Sequence, residues 1–305
     1  MSRDNVWTRR EILRLAAALG LLPSISSAED QKMMTRRIPV SGEELPVIGL
    51  GTWQVFDVPG TPEEITLRRQ IVDLLTDRGG SLIDTSPMYN RSEQVIGDVI
   101  AASGNRGRLF LATKVWTDGK EAGERQMRQS AELMNTDVVD LMQVHNRRDL
   151  DVHFSTIREW QQQERIRYNG VTDYRESAQD EMEAVIERYQ PEFIQINYSL
   201  GEHGADDRLL PLATDRGVAV LVNRPFMSGR LFQAVSGRKI PDWARPFADS
   251  WGQFFLKFIV SHPAVTAVIP ATSKPRHMAD NLGAGFGEMP DAAIRARMIA
   301  FIGSV

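Results

Sequence analysis

Cysteine is missing altogether from the 305 residues, which excludes disulfides, thiolate nucleophiles and thiolate-bound metals. A basic excess is missing too. Against 36 Lys and Arg stand 40 Asp and Glu, a net charge of −4, and that is not the balance of a nucleic-acid-binding surface. No apolar stretch reaches the ~20 residues that a membrane-spanning helix needs, so no stable membrane insertion is expected. Low-complexity tracts and Gly-X-Y periods are absent, which removes fibrous classes. The glycine-rich loop of doubly wound dinucleotide-binding sheets is absent as well: Gly49-Leu50-Gly51 has no third glycine in register. What remains is a globular composition, 42% hydrophobic and 25% charged, long enough for one large core.

The first 28 residues differ from the rest. Arg9-Arg10 precede an apolar run from Leu15 to Leu22, and Pro23 leads into Ser26-Ser27-Ala28. A basic start, a short apolar stretch and a small-x-small site in that order make a secretory signal. The adjacent arginines resemble a twin-arginine signal, read by the twin-arginine export machinery. The expected division is therefore 1–28 signal peptide and 29–305 folded domain, exported to the periplasm. The alternative is a cytoplasmic protein with an uncleaved amphipathic start. Removal of residues 1–28 leaves 32 basic against 38 acidic residues, so no strong attraction to an anionic membrane follows.

Short β-branched runs recur at 47–50, 81–84, 109–114, 138–145, 166–172, 192–197, 217–222 and 265–270. Most are continuous in apolar residues, as strands buried on both faces are. Helical patterns lie between them. Thr61-Pro62-Glu63-Glu64 has the chemistry of a helix start, with Leu67, Ile71, Leu74 and Leu75 on one face and Gly79-Gly80 as the stop. Further helices fit near 91–103, 122–134, 151–164, 176–188, 204–216, 248–261, 275–284 and 291–301. Eight strands alternating with helices predict an α/β protein of the (β/α)8 TIM-barrel type, with a doubly wound sheet as the competing architecture. The gap from 223 to 249 reads as an extended loop over one barrel face.

Chemistry in such barrels sits at the carboxyl ends of the strands. Strand two ends at Asp84 with Tyr89 on its loop, strand three at Lys114 and strand four at His145. This set suits hydride transfer to a carbonyl, because charge growing on the carbonyl oxygen needs a proton donor. A phenol is a poor acid near neutrality, and a neighbouring ammonium is expected to lower its pKa. At ~4 Å and an effective dielectric of ~20 that charge is worth about 4 kcal/mol, roughly three pKa units. Asp84 would orient Lys114 and keep it charged, and His145 would hydrogen-bond the carbonyl oxygen. Any one of these residues alone is more often a structural ion pair or a satisfied rim histidine.

The chain resembles the aldo-keto reductases. The matching segments are GLGTW (49–53), DTSPMY (84–89), ATKVW (112–116), VHN (144–146), IRYNGVTDY (166–174), FIQINYS (193–199) and VIPATSKPRHMADNL (268–282). The resemblance implies a (β/α)8 barrel that binds NADP(H) in extended form, with NAD(H) the less favoured cofactor, and reduces an aldehyde or ketone. It casts Tyr89 as general acid, Lys114 and Asp84 as its tuning pair and His145 as the carbonyl-orienting group. It assigns Thr172, Asp173 and Gln195 to the nicotinamide carboxamide. Thr52 and Trp53, Arg224, Pro225, Phe226 and Ser228, and Thr272, Ser273, Lys274, His277 and Asn281 complete the cofactor groove.

Three departures from the family pattern stand out. Asp173 replaces an amide donor. Where an aromatic residue usually stacks on nicotinamide, this chain has Arg224, which could lie against the ring, or Phe226, which could move in. The cations expected for a 2′-phosphate are replaced by Ala271 and His277, with Lys274 and Arg276 close by as substitutes. Trp53, Met88, Trp116 and Phe226 either wall the substrate pocket or serve as rim packing. Glu202, His203, Asp206 and Asp207 read as a solvated loop rather than a metal cluster. A different class of function on the same residues is a cofactor-sensing or partner-binding barrel with little turnover.

Overall fold

In the computed structural model, which describes residues 32–305, the first elements described form a hairpin that the sequence pattern does not announce. Strand β1 (Thr35–Arg37) pairs antiparallel with β2 (Glu44–Pro46). Eight strands then follow in one sheet: β3 (Leu50–Gly51), β4 (Leu82–Asp84), β5 (Phe110–Val115), β6 (Val139–His145), β7 (Ile166–Asp173), β8 (Phe193–Asn197), β9 (Ala219–Asn223) and β10 (Ala267–Val268). Each pairs parallel with the next. Parallel bridges Ile48–Val268 and Gly51–Ala271 join the first strand to the last, closing the (β/α)8 barrel. The predicted 1–28 leader lies outside the described residues.

Close approach explains two of the glycines. A Cβ at Gly51 would stand 2.6 Å from the Ile269 carbonyl oxygen, and one at Gly49 would stand 2.9 Å from Leu82. Gly51 lets the backbones meet at the seam, while Gly49 leaves room for the Leu82 side chain of the neighbouring strand.

Helices α1 (Pro62–Asp77), α2 (Ser92–Ser103), α3 (Lys120–Leu133), α4 (Leu150–Gln162), α5 (Gln179–Tyr189), α6 (Leu209–Asp215), α7 (Arg230–Ala234), α8 (Trp251–Val260), α9 (Pro275–Gly283) and α10 (Ala292–Ile302) accompany the strands. Helix α1 starts as its sequence predicts. The Thr61 hydroxyl accepts from the Glu64 amide, and the Glu64 carboxylate accepts from the Thr61 amide. Ile71, Val72 and Leu75 are buried, and the Gly80 amide donates to the Leu75 carbonyl where the helix stops. The predicted extended loop at 223–249 is instead organised, with α7 and two short 3-10 turns.

The barrel interior has two halves. Leu82, Phe110, Ala112, Leu141, Tyr168, Phe193, Ala219, Leu221, Ala267 and Ile269 fill an apolar layer, joined by Ile38 and Leu45 of the hairpin segment. The Tyr168 hydroxyl bonds Ser41 and Glu43, which fixes the hairpin as the plug of the amino-terminal end. Toward the carboxyl ends the inward positions turn polar. On β5 the inward sequence is Phe110, Ala112, Lys114; on β6 it is Leu141, Gln143, His145. Because side chains alternate along a strand, one face carries an apolar floor and a polar mouth.

Candidate active site

The polar mouth is assembled around Asp84. Lys114 Nζ donates to Asp84 Oδ2 at 2.6 Å and to the Thr85 carbonyl at 2.7 Å. The other carboxylate oxygen accepts from Gln195 at 2.8 Å and from Gln143 at 3.2 Å. Both charges are fully enclosed, with Lys114 at 0% exposure and Asp84 at 2%. Burying an ion pair costs several kcal/mol per ion, so it persists only where the remaining hydrogen-bond capacity is filled, as it is here. Lys114 Nζ lies 5.1 Å from the centroid of the Tyr89 ring, close enough for its charge to act on the phenol.

Burial alone would discharge Lys114, but Asp84 and Tyr89 outweigh it and hold the ammonium above its ordinary pKa. Tyr89 departs from expectation. Burial raises its pKa above 10.0, Lys114 pulls against this, and Asp84 adds to the rise; the net shift is upward. The ammonium does act in the predicted direction, but the cost of a buried phenolate is larger. The phenol therefore stays protonated, which is the form an acid needs. His145 is pushed down to about 3 by burial and then by Lys114, with Asp173 opposing. It is neutral near pH 7, a hydrogen-bond donor rather than a proton source. Its ring meets Tyr89 edge-on at 6.1 Å and Trp116 at 6.4 Å.

The predicted cofactor residues divide. Thr172 Oγ1 donates to Gln195 Oε1 at 3.4 Å, and Gln195 is turned toward Asp84. Asp173 is taken up by arginines: Arg175 bonds both carboxylate oxygens, and Arg147 Nε bonds Oδ2 at 3.1 Å. Its carboxylate is held ionised, so it cannot replace the missing amide donor. Thr52 is fully buried and bonds the Asp84 carbonyl at 3.0 Å, bracing β3 against β4. Arg224 lies over the Tyr174 ring at 5.4 Å. Phe226 is partly buried and packs on Phe232 at 4.9 Å and Phe255 at 6.4 Å. Pro225 is buried beside it, while Ser228 is exposed with φ +56.

The rim fits a dinucleotide at two places. At the β9 end, Asn223 Oδ1 and Arg224 Nε are buried without hydrogen-bond partners among the described residues. At the start of α9, Lys274, Arg276 and His277 are exposed, Thr272 and Asn281 are buried, and Ser273 lies between. Trp53 and Met88 stand open at the mouth, 51% and 39% exposed, and Trp116 carries the Arg148 guanidinium at 4.7 Å from its ring centroid. A cleft of about 320 Å³ between α4 and Tyr189 involves none of these residues. The Glu202–Asp207 loop is pinned rather than merely solvated: Glu202 accepts from Arg230 and Asn197, and Asp206 accepts from Tyr198.

Ser86, Gln143, Arg147, Tyr174, Arg175 and Asn223 belong to the site and were not anticipated. Gln143 had a signal, because it precedes His145 by two positions on one strand and must share its face. Ser86 sat inside a matched segment but carried no charge. Arg147 and Arg175 come from loops, where strand periodicity says nothing.

The sequence profile of the aldo/keto reductase family matches residues 47–296. Over 259 residues the chain is 28% identical to methylglyoxal reductase YeaE of Escherichia coli (strain K12), covering 82% of this chain and 89% of that one. The NADH-specific methylglyoxal reductase of the same organism is 24% identical over 244 residues, covering 69% and 73%. The crystal structure of an aldo/keto reductase from Klebsiella pneumoniae in complex with NADP and acetate aligns with a TM-score of 0.74 at 25% identity, covering 86% of this chain and 93% of that one.

Proposed function

Because the chain belongs to the aldo/keto reductase family, we propose that it is an NADP(H)-dependent reductase of small aldehydes or ketones. The observation that carries this reading is the buried Lys114–Asp84 pair, 2.6 Å apart, set against the Tyr89 ring and beside a neutral His145. When bound, NADPH supplies the hydride that converts the carbonyl carbon, leaving negative charge on its oxygen. Tyr89 gives its hydroxyl proton to that oxygen, completing the alcohol and becoming a phenolate. Lys114 stabilises the phenolate, and Asp84 keeps Lys114 charged and aimed. His145 donates a ring N–H to the same oxygen and sets its position.

Asn223 and Thr172 are the groups with which this chain would hold the carboxamide, since Asp173 is committed to Arg147 and Arg175. Arg224 and Ser228 fit the phosphate bridge, Asn281 the adenine, and Lys274 with Arg276 a 2′-phosphate. These exposed cations favour NADP(H) over NAD(H). The substrate pocket is assigned to Trp53, Met88 and Trp116.

Mixing the purified protein with NADPH or NADH and a panel of small aldehydes, while following nicotinamide absorbance, tests this directly. Oxidation dependent on carbonyl and Tyr89, faster with NADPH, is expected. Cofactor binding without any turnover would overturn it in favour of a sensing role.

The proposal extends to export through the twin-arginine machinery, supported by Arg9-Arg10, the apolar run to Leu22 and Ser26-Ser27-Ala28. Protein recovered from the periplasm should begin near residue 29; an intact Met1 found only in cytosol would return the enzyme to the cytoplasm.

A further inference from the structure

We propose that Ser86 is a positioning residue that fixes the tautomer of His145, so that the imidazole carries its proton on Nε2 and offers that N–H to the substrate oxygen. The inference rests on the carbonyl-orienting role proposed above for His145.

The geometry is local and closed. Ser86 follows β4 by two residues and is fully buried, at 0% exposure. Its hydroxyl oxygen lies 3.1 Å from His145 Nδ1. The same oxygen accepts the Met88 amide N–H at 3.4 Å. Among the described residues these are its two polar partners.

A serine hydroxyl has one proton to donate and two lone pairs. If Nδ1 carried the imidazole proton, Ser86 would accept from both Nδ1 and the Met88 amide. Its own proton would then have no acceptor in a place that water does not reach. If Nδ1 is bare, Ser86 accepts from Met88 and donates to Nδ1, and every group is satisfied. Leaving a buried donor unmade is the costlier arrangement, so the second is selected.

A single neutral ring has only one N–H, so placing it on Nε2 leaves Nδ1 on Ser86. Burial holds His145 neutral near pH 7, which is what makes the choice of tautomer matter: an imidazolium would donate from both nitrogens. The Tyr89 backbone adds rigidity, since its amide donates to the Ser86 carbonyl at 3.0 Å. One tight turn thus carries the proton donor and the residue that aims its neighbour.

The test uses the full chain labelled with 15N-histidine. The His145 ring signals are assigned by their loss in His145→Asn. At pH 7 the wild-type ring should show a bare Nδ1 and a protonated Nε2. In Ser86→Ala the ring should report a mixture of tautomers, and kcat/KM for an aldehyde should fall about tenfold, as for one lost neutral hydrogen bond. Ser86→Thr, which keeps the hydroxyl, should restore both. A wild-type spectrum with the proton on Nδ1 overturns the proposal without any variant being made. So does a Ser86→Ala protein with an unchanged spectrum or unchanged kcat/KM. Absence of aldehyde reduction in the wild type would defeat the reductase reading instead, and the spectrum would still report the tautomer.

Discussion

On the β4–β6 side of the mouth, each charged group has its partner before any ligand arrives. Lys114 has Asp84 and the Thr85 carbonyl, and Asp84 has Gln143 and Gln195 as well. On the β9–α9 side the opposite holds. Among the described residues Asn223 Oδ1 and Arg224 Nε are buried without hydrogen-bond partners, and Lys274 and Arg276 stand in solvent. Under the proposed function the first side is wired for chemistry, where charge must be in place when the transition state forms. On the same proposal the second is left open for binding, where groups already satisfied internally would gain nothing from a ligand. Damage on one side should appear in turnover and folding, and damage on the other in affinity.

The largest expected effect comes from Tyr89→Phe. It removes the proton donor alone, so reduction should fall by about 10²–10⁴-fold while NADPH affinity by fluorescence titration stays near wild type. Equal losses in both would erase the distinction between the two sides.

Lys114→Met comes next. It strands a buried carboxylate, and urea unfolding should show a loss of about 3–5 kcal/mol. Lys274→Ala, on an exposed side chain, should stay within about 0.5 kcal/mol.

Lys274→Ala combined with Arg276→Ala should weaken NADPH binding about tenfold, leave NADH binding unchanged, and lose most of its effect at high salt. Equal weakening of both cofactors would remove the 2′-phosphate from this end of the rim.

The smallest effect is an absence of change. Reduction requires the protonated phenol, whose pKa is raised, so the rate is lost only as pH climbs through a value above 10.0. His145, pushed down to about 3, contributes no step at its ordinary value of 6.5. A clear inflection in kcat near that pH would show that the wiring of the β4–β6 side is misread.

The same contrast explains what the sequence disclosed. All eight barrel strands were legible, because strands covered on both faces must be apolar in continuous runs. Asp84, Lys114 and His145 were legible because they interrupt such runs at their carboxyl ends. The plugging hairpin was not, since strands of three residues have too little pattern. The direction of the Tyr89 shift was not, because it depends on how much water the fold removes, and only neighbouring charges can be read from residue types. The arginines on Asp173 were hidden for a further reason. Arg147 reaches it from a turn in which Asn146 and Arg147 have φ of +50 and +58, a conformation that their side chains do not advertise. The place of Phe226 stayed open in the sequence because an aromatic residue near a mouth has two destinations, and its packing against Phe232 and Phe255 is information that residue types do not carry.

Gly51 meets the Ile269 carbonyl from the far end of the chain. Until the segment around Ile269 leaves the ribosome, β3 and β9 are both free edges, each able to recruit a strand from another molecule. Asp84, Lys114 and His145 are all synthesised long before that moment. A transcript cut short before the final strand would therefore yield a polypeptide with its reactive residues intact and a strong tendency to aggregate.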